Sequence, residues 1–112
     1  MLLQRYYSKV MNIKQNKVEA LAKKLLVAGD STRLKILCII FDDKKVCVSE
    51  IAKKLDMSVA IVSHHLQSLA KAGFLEPNRE GKQICYSLLK SRFNTDLKDF
   101  ICRNKLNNIS KL

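Results

Sequence analysis

Two short amphipathic segments separated by a two-residue turn constrain this chain more than any other feature. Ser49 is placed to cap the first segment, whose apolar residues Ile51, Ala52 and Leu55 recur at helical spacing. Asp56 and Met57 supply the turn. Ser58 caps the second segment, which carries Val62, Leu66, Leu69 and Ala70 on one face. Gly73 stands where a left-handed residue ends a helix. Two helices joined by so short a turn form a helix-turn-helix.

The flanking sequence extends that unit. From Lys14 the stripe Val18, Leu21, Ala22, Leu25 and Leu26 predicts a first helix that stops at Gly29. Asp30 or Ser31 then caps a second helix with the stripe Leu34, Leu37, Cys38 and Phe41. Asp42 to Lys45 reads as a turn, and Val46 to Val48 as a short strand. Beyond Gly73 the period changes. Phe74 to Glu76 and Gln83 to Leu89 predict two strands around a polar tip, Asn78 to Gly81. Helical spacing returns from Ser91 to Asn104 with Phe93, Leu97, Phe100 and Ile101. The expected fold is mainly α with a β-hairpin wing, a winged helix-turn-helix of five helices with the hairpin before the last. A single proline and three glycines agree with that helical bias. The 112 residues suggest one domain over 14–104, with an arm or helix start at 1–13 and a polar tail at 105–112.

Charge narrows the function. Twenty-one Lys and Arg against ten Asp and Glu leave +11, a balance that attracts polyanions. No apolar run approaches the ~20 residues of a membrane span, and Met1 to Val10 lacks a continuous signal-peptide core. The expectation is a cytoplasmic protein whose partner is double-stranded DNA, without a membrane. In that compartment Cys38, Cys47, Cys85 and Cys102, with no CxxC pair, are not a disulfide framework. The missing CxxC, with no evident substrate pocket, also argues against a thiol oxidoreductase. The chain reads as a non-enzyme with no cofactor.

The motif order resembles the ArsR/SmtB family of bacterial regulators. The resemblance is carried by Gly29 to Leu37 (GDSTRLKIL), Ser49-Glu50-Ile51-Ala52, and Ser58 with Val62-Ser63-His64-His65-Leu66. It continues through Leu69 to Leu75 (LAKAGFL) and a wing running from Arg79-Glu80-Gly81-Lys82 to Tyr86-Ser87-Leu88. It implies a dimer built from the first and last helices, repressing an operator until a small inducer binds.

The recognition helix is then Ser58 to Ala72. Ser58, Val59, Ala60, Ser63, His64 and Gln67 lie on its solvent face, with Lys71 near its end. Val59, Ala60 and Ile61 replace polar residues usual in that family. Apolar groups touch the thymine methyl, so an A·T-rich operator suits them. His65 either faces phosphate or packs internally. Arg79 and Lys82 on the wing are placed for phosphate contacts, which position rather than specify. Lys35, Lys53 and Lys54 are either further phosphate contacts or a solvated face.

The family's metal sites are incomplete here. A CxC pair is reduced to Cys47-Val48-Ser49, and the last helix has Asp96 and Asp99 without histidine. No metal is therefore expected, with Cys47 as the alternative ligand. Cys38 and Cys102 are placed as in the sulfur-responsive branch of the family, that of BigR, SqrR and HlyU. There, two such thiols link directly or through added sulfur. That chemistry needs a thiolate and a second thiol near enough to resolve it. Lys35 and Arg103 are placed to lower a neighbouring thiol pKa; the competing reading makes Cys38 apolar filler. Cys85 is expected to be packing. The expected function is a homodimeric, sequence-specific repressor released by an oxidant or reactive sulfur species at Cys38 and Cys102. The alternatives are a metal- or metalloid-responsive repressor using Cys47, and a constitutive DNA-binding protein.

Because Lys and Arg displace counterions from phosphates, affinity for duplex DNA is expected to fall steeply with salt. A titration repeated across salt concentrations checks this. An affinity flat with salt would remove the electrostatic basis for DNA binding.

Overall fold

The computed structural model describes residues 16–104; the arm expected at 1–13 and the tail at 105–112 lie outside the described residues. Helix α1 covers 16–28, followed by α2 (Ser31–Asp43), β1 (Lys45–Cys47), α3 (Val48–Leu55) and α4 (Val59–Lys71). The hairpin β2 (Leu75–Glu80) and β3 (Gln83–Leu88) precedes α5 (Arg92–Arg103). This is a winged helix-turn-helix, with five helices among the described residues.

Side chains just before the helices fix several of their starts. The Asp30 carboxylate accepts from the Arg33 amide at 3.0 Å, Ser58 Oγ from Ile61 at 3.2 Å and Ser91 Oγ from Asn94 at 3.1 Å. The α3 start differs from expectation. Its N-cap is Cys47, not Ser49, and Glu50 reaches back to accept from the Cys47 amide at 3.4 Å. Strand β1 therefore ends one residue earlier than expected and passes directly into the helix. Asp56 in left-handed geometry (φ 53°) ends α3, and Gly73 (φ 89°) follows α4.

The sheet is antiparallel in the order β1-β3-β2. The wing is longer and its tip tighter than expected. Asn78, Arg79 and Glu80 belong to β2, opposite Cys85, Ile84 and Gln83, which leaves Gly81 and Lys82 to make the turn. Pairing carries the polar residues outward as strand, and Pro77 is tolerated because β2 is an edge.

The core is organised around α2. Ile36 to Phe41 are all buried, so this helix is apolar on every side over that stretch rather than along one stripe. Val62, Leu66 and Leu69 from α4, Ile51 from α3, Val46 from β1 and Ile101 from α5 join it. The α1 stripe behaves differently. Val18, Leu21, Leu25 and Leu26 remain exposed, Leu26 at 79%. Helix α1 instead lays Lys24 over the Phe93 and Phe74 rings, at 4.5 and 5.3 Å.

One buried polar residue joins α5 to the rest. Asn94 is fully enclosed, and its Nδ2 donates to the carbonyls of Leu89 (2.7 Å), Gly73 (3.1 Å) and Phe74 (3.4 Å). These carbonyls come from the α4–β2 junction and the exit of β3. Asn94→Leu leaves them without that donor, so a loss of about 2–3 kcal/mol is expected. Urea unfolding measures it; an unchanged midpoint would show that the amide ties nothing together.

Candidate nucleic-acid interface and cysteine sites

The apolar seam of α4 decides what its other face presents. With Val62, Leu66 and Leu69 buried, Ser58, Val59, Ala60, His64 and Gln67 are exposed and Ser63 is half-buried. Gln67 Nε2 donates to Ser63 Oγ at 3.3 Å, one helical turn apart, so the two form a single polar patch. His65 faces the other way. Its Nδ1 accepts from Arg33 Nε at 3.1 Å, while Arg33 Nη1 donates to the Val27 carbonyl at 3.3 Å. Of the two readings left open for His65, the internal one holds. It ties α4 to α2 and to the end of α1.

A groove of about 300 Å³ lies where α3, α4 and the wing meet. It brings Val59 and Ser63 of α4 together with Lys82 of the hairpin turn. Its other lining includes Ser49, Gln83 and Ile84, none of them foreseen as site residues. Ser49 was read only as a cap. Ile84 projects outward because it pairs with Arg79, a register invisible before the strands are aligned. Arg79 is exposed on β2 opposite Ile84 and is not among the residues lining this groove. Lys35 and Lys53 are also exposed, whereas Lys54 is paired with Asp43 and Lys45 with Glu80. The first turn of α4 carries no acidic residue, so no side-chain charge there opposes an anion at the helix N-terminus.

The cysteines depart from expectation. Cys47 and Cys85, directly opposed across β1 and β3 with Cα atoms 3.7 Å apart, are joined by a disulfide. Cys85 is thus more than packing, and the expectation of no disulfide fails here. Strand register supplies the partner that linear spacing, a sequence separation of 38, concealed. Glu80 lies beside the pair, and the donor atoms of Cys47, Cys85 and Glu80 are all within 4.8 Å of one another. With the disulfide open, two thiols and a carboxylate would face one point.

Cys38 is buried and Cys102 exposed. Burial raises the Cys38 pKa, with the Asp42 charge and then that of Cys102 adding to it. The expected lowering by Lys35 and Arg103 is therefore corrected for Cys38: both basic side chains are exposed, and desolvation acts against the thiolate. Cys102 lines an open groove of about 390 Å³ with Asp96, Asp99 and Arg103. No helix among the described residues is long and apolar enough to cross a membrane.

Residues 30–76 match the family described as bacterial regulatory protein, arsR family. The chain is 37% identical over 82 residues to the cadmium resistance transcriptional regulatory protein CadC of Listeria innocua, an alignment covering 73% of this chain and 66% of that protein. It thus spans just under two thirds of CadC. It is 32% identical over 80 residues to the transcriptional activator HlyU of Vibrio cholerae, covering 70% of this chain and 73% of HlyU. In fold it resembles the homodimeric winged helix-turn-helix DNA-binding domain Mb0332 of Mycobacterium bovis. That structure matches with a TM-score of 0.73 at 21% identity, covering 88% of this chain and 90% of the other.

A buried thiol with a raised pKa stays protonated in the native state while the unfolded chain ionises. Unfolding then releases a proton, so stability is expected to fall as pH rises above about 8.5 and until the folded pKa is reached. Tyr86, raised by burial, adds a similar loss at higher pH. Urea denaturation at several alkaline pH values should show a shallower decline for Cys38→Ala. Equal slopes would remove Cys38 as the source.

Proposed function

From its membership of the ArsR/SmtB family of bacterial regulatory proteins, which makes it a transcriptional regulator and not an enzyme, we propose that this chain is a homodimeric, operator-binding repressor. The groove that joins Val59 and Ser63 of the recognition helix to Lys82 of the wing carries this reading. A major-groove contact and a phosphate contact can be made there at once, on a chain with a net charge of +11. Ser58, Val59, Ala60, Ser63, His64 and Gln67 meet the base edges, the apolar ones favouring thymine. Arg79 and Lys82 hold the backbone.

The exposed stripe Val18, Leu21, Leu25 and Leu26 supports the dimer, since contiguous apolar surface on a helix marks an interaction face. Phe100 on α5, 46% exposed, adds to it. These are the two helices on which the family resemblance puts the dimer.

The inducer acts on Cys102 and Cys38. Cys102, exposed, takes the terminal sulfur of a persulfide such as glutathione persulfide and releases glutathione. Cys38 then attacks the Cys102 persulfide and releases hydrogen sulfide, leaving Cys38 and Cys102 linked. Burial shields Cys38 from an incoming persulfide while Cys102 is exposed, which sets the order of the two steps. A link between α2 and α5 shifts the dimer and, with it, the spacing of the two recognition helices. A metal-responsive reading has one observation in its favour, the convergence of Cys47, Cys85 and Glu80.

Ser63→Ala and His64→Ala are expected to lose binding to a duplex selected from a random library, with unfolding midpoints within about 0.5 kcal/mol of the parent. A core-sized loss of about 2–5 kcal/mol would move them out of the readout face. Glutathione persulfide should release the parent from DNA. Equal release of Cys38→Ser and Cys102→Ser would place the inducer elsewhere.

A further inference from the structure

We infer that Cys47 and Cys85 form a second thiol site, separate from Cys38 and Cys102, at which a hydroperoxide-class oxidant closes a disulfide that locks the wing onto the helix-turn-helix. Cys47 is both the last residue of β1 and the N-cap of α3, while Cys85 is its direct partner on the central strand β3. The bond therefore ties the entry of the helix-turn-helix to the strand on which the wing hangs. Beyond it, β2 has strand pairing only with β3, and it carries Arg79 to the turn at Gly81 and Lys82.

Both oxidation states are accommodated. In the closed state the two sulfurs are bonded across the sheet. In the open state Cys85 has an acceptor ready, because Glu80 Oε2 lies 3.7 Å from its sulfur while the other Glu80 oxygen is held by Lys45. The Cys85 thiol thus does not become an unsatisfied buried donor on reduction. Cys47 is half-buried and open to a small oxidant, whereas Cys85 is buried. The chemistry is balanced with the oxidant as the only co-reactant. The Cys47 thiolate attacks the peroxide oxygen and expels an alkoxide, which is protonated to the alcohol. The sulfenic acid so formed is attacked by Cys85 and loses water. Each turnover consumes two thiols and one hydroperoxide, and yields one disulfide, one alcohol and one water. A dithiol reductant reverses it.

The closed bond restricts the wing to the position in which Lys82 shares a groove with Ser63 and Val59, so less freedom is lost when it meets phosphate. Oxidation at this site tightens DNA binding, the opposite sense to the proposed Cys38–Cys102 link. The coupling rests on the wing's phosphate role; the thiol chemistry does not.

The test uses the full chain with Cys38→Ala and Cys102→Ser, reduced, then treated with cumene hydroperoxide, and the parent in parallel. Mass spectrometry after alkylation should show the loss of two hydrogens and linked peptides carrying Cys47 and Cys85. Peptide mapping of the parent gives the same answer if the double variant folds poorly. Binding to an A·T-rich duplex should be tighter in the oxidised form at every salt concentration, with the same salt slope, because the same phosphates are neutralised in both complexes. Cys85→Ser should abolish the difference. Arg79→Ala with Lys82→Ala should close the disulfide but show no change in affinity. Cysteines 47 and 85 that stay alkylatable after oxidant would overturn the proposal, as would equal affinity in both states. Uptake of one cadmium ion by a reduced pair that resists hydroperoxide would overturn it in favour of the metal-responsive reading. Closure with no duplex bound in either state would sink the coupling and the operator reading together, and leave the oxidisable pair standing.

Discussion

Complete enclosure of α2 is the constraint on which the rest of the molecule depends. Six consecutive residues, Ile36 to Phe41, are buried, so apolar partners must cover the helix from every side. Helix α4 supplies Val62, Leu66 and Leu69 to that task, and the sheet supplies Val46 and Tyr86. Once those residues face α2, the opposite side of α4 has no choice of direction. Ser58, Val59, Ala60, His64 and Gln67 point to solvent because the seam they share a helix with points inward. The Arg33–His65 hydrogen bond reinforces the same orientation from the flank.

Polar contacts at the element boundaries turn that packing into a defined geometry. Asn94 gathers carbonyls from the α4–β2 junction and the end of β3, so the wing leaves the core in one direction. Gly73, at φ 89°, allows the chain to turn from α4 into β2 in left-handed geometry. The result is that α4 and the hairpin turn share one groove, which neither could form alone. The outer apolar stripe of α1, by contrast, is left uncovered among the described residues, and it is the face given to a second copy in the proposed dimer.

The cysteines illustrate how one residue type diverges by location. Cys38 sits in the most enclosed helix, where desolvation favours its thiol form. Cys102 stands at the open end of α5 beside Asp99 and Arg103. Cys47 and Cys85 meet because antiparallel pairing places them opposite each other, with Glu80 alongside. Two of the four are held by sheet register, and the other two belong to helices.

Much of the fold was legible in the order of residues, because caps, periodicity and breakers act over a few positions. Asp30, Ser58, Ser91 and Gly73 mark boundaries through local hydrogen bonds and backbone sterics, and they do so in the folded chain. The α4 face was legible for the same reason, since helical period alone separates Leu66 from Gln67. What the order of residues could not show depends on contacts between distant segments. Strand register decided that Cys47 faces Cys85, that Arg79 and Glu80 are strand rather than loop, and that Ile84 turns outward. Packing decided that His65 binds Arg33, and that burial outweighs basic neighbours at Cys38. The sequence by itself determined the elements and their exposed faces, because those follow from interactions within a turn or two of chain. Only the tertiary structure decided which side chains meet across the sheet and the groove, because those pairings are set when distant apolar surfaces are buried together.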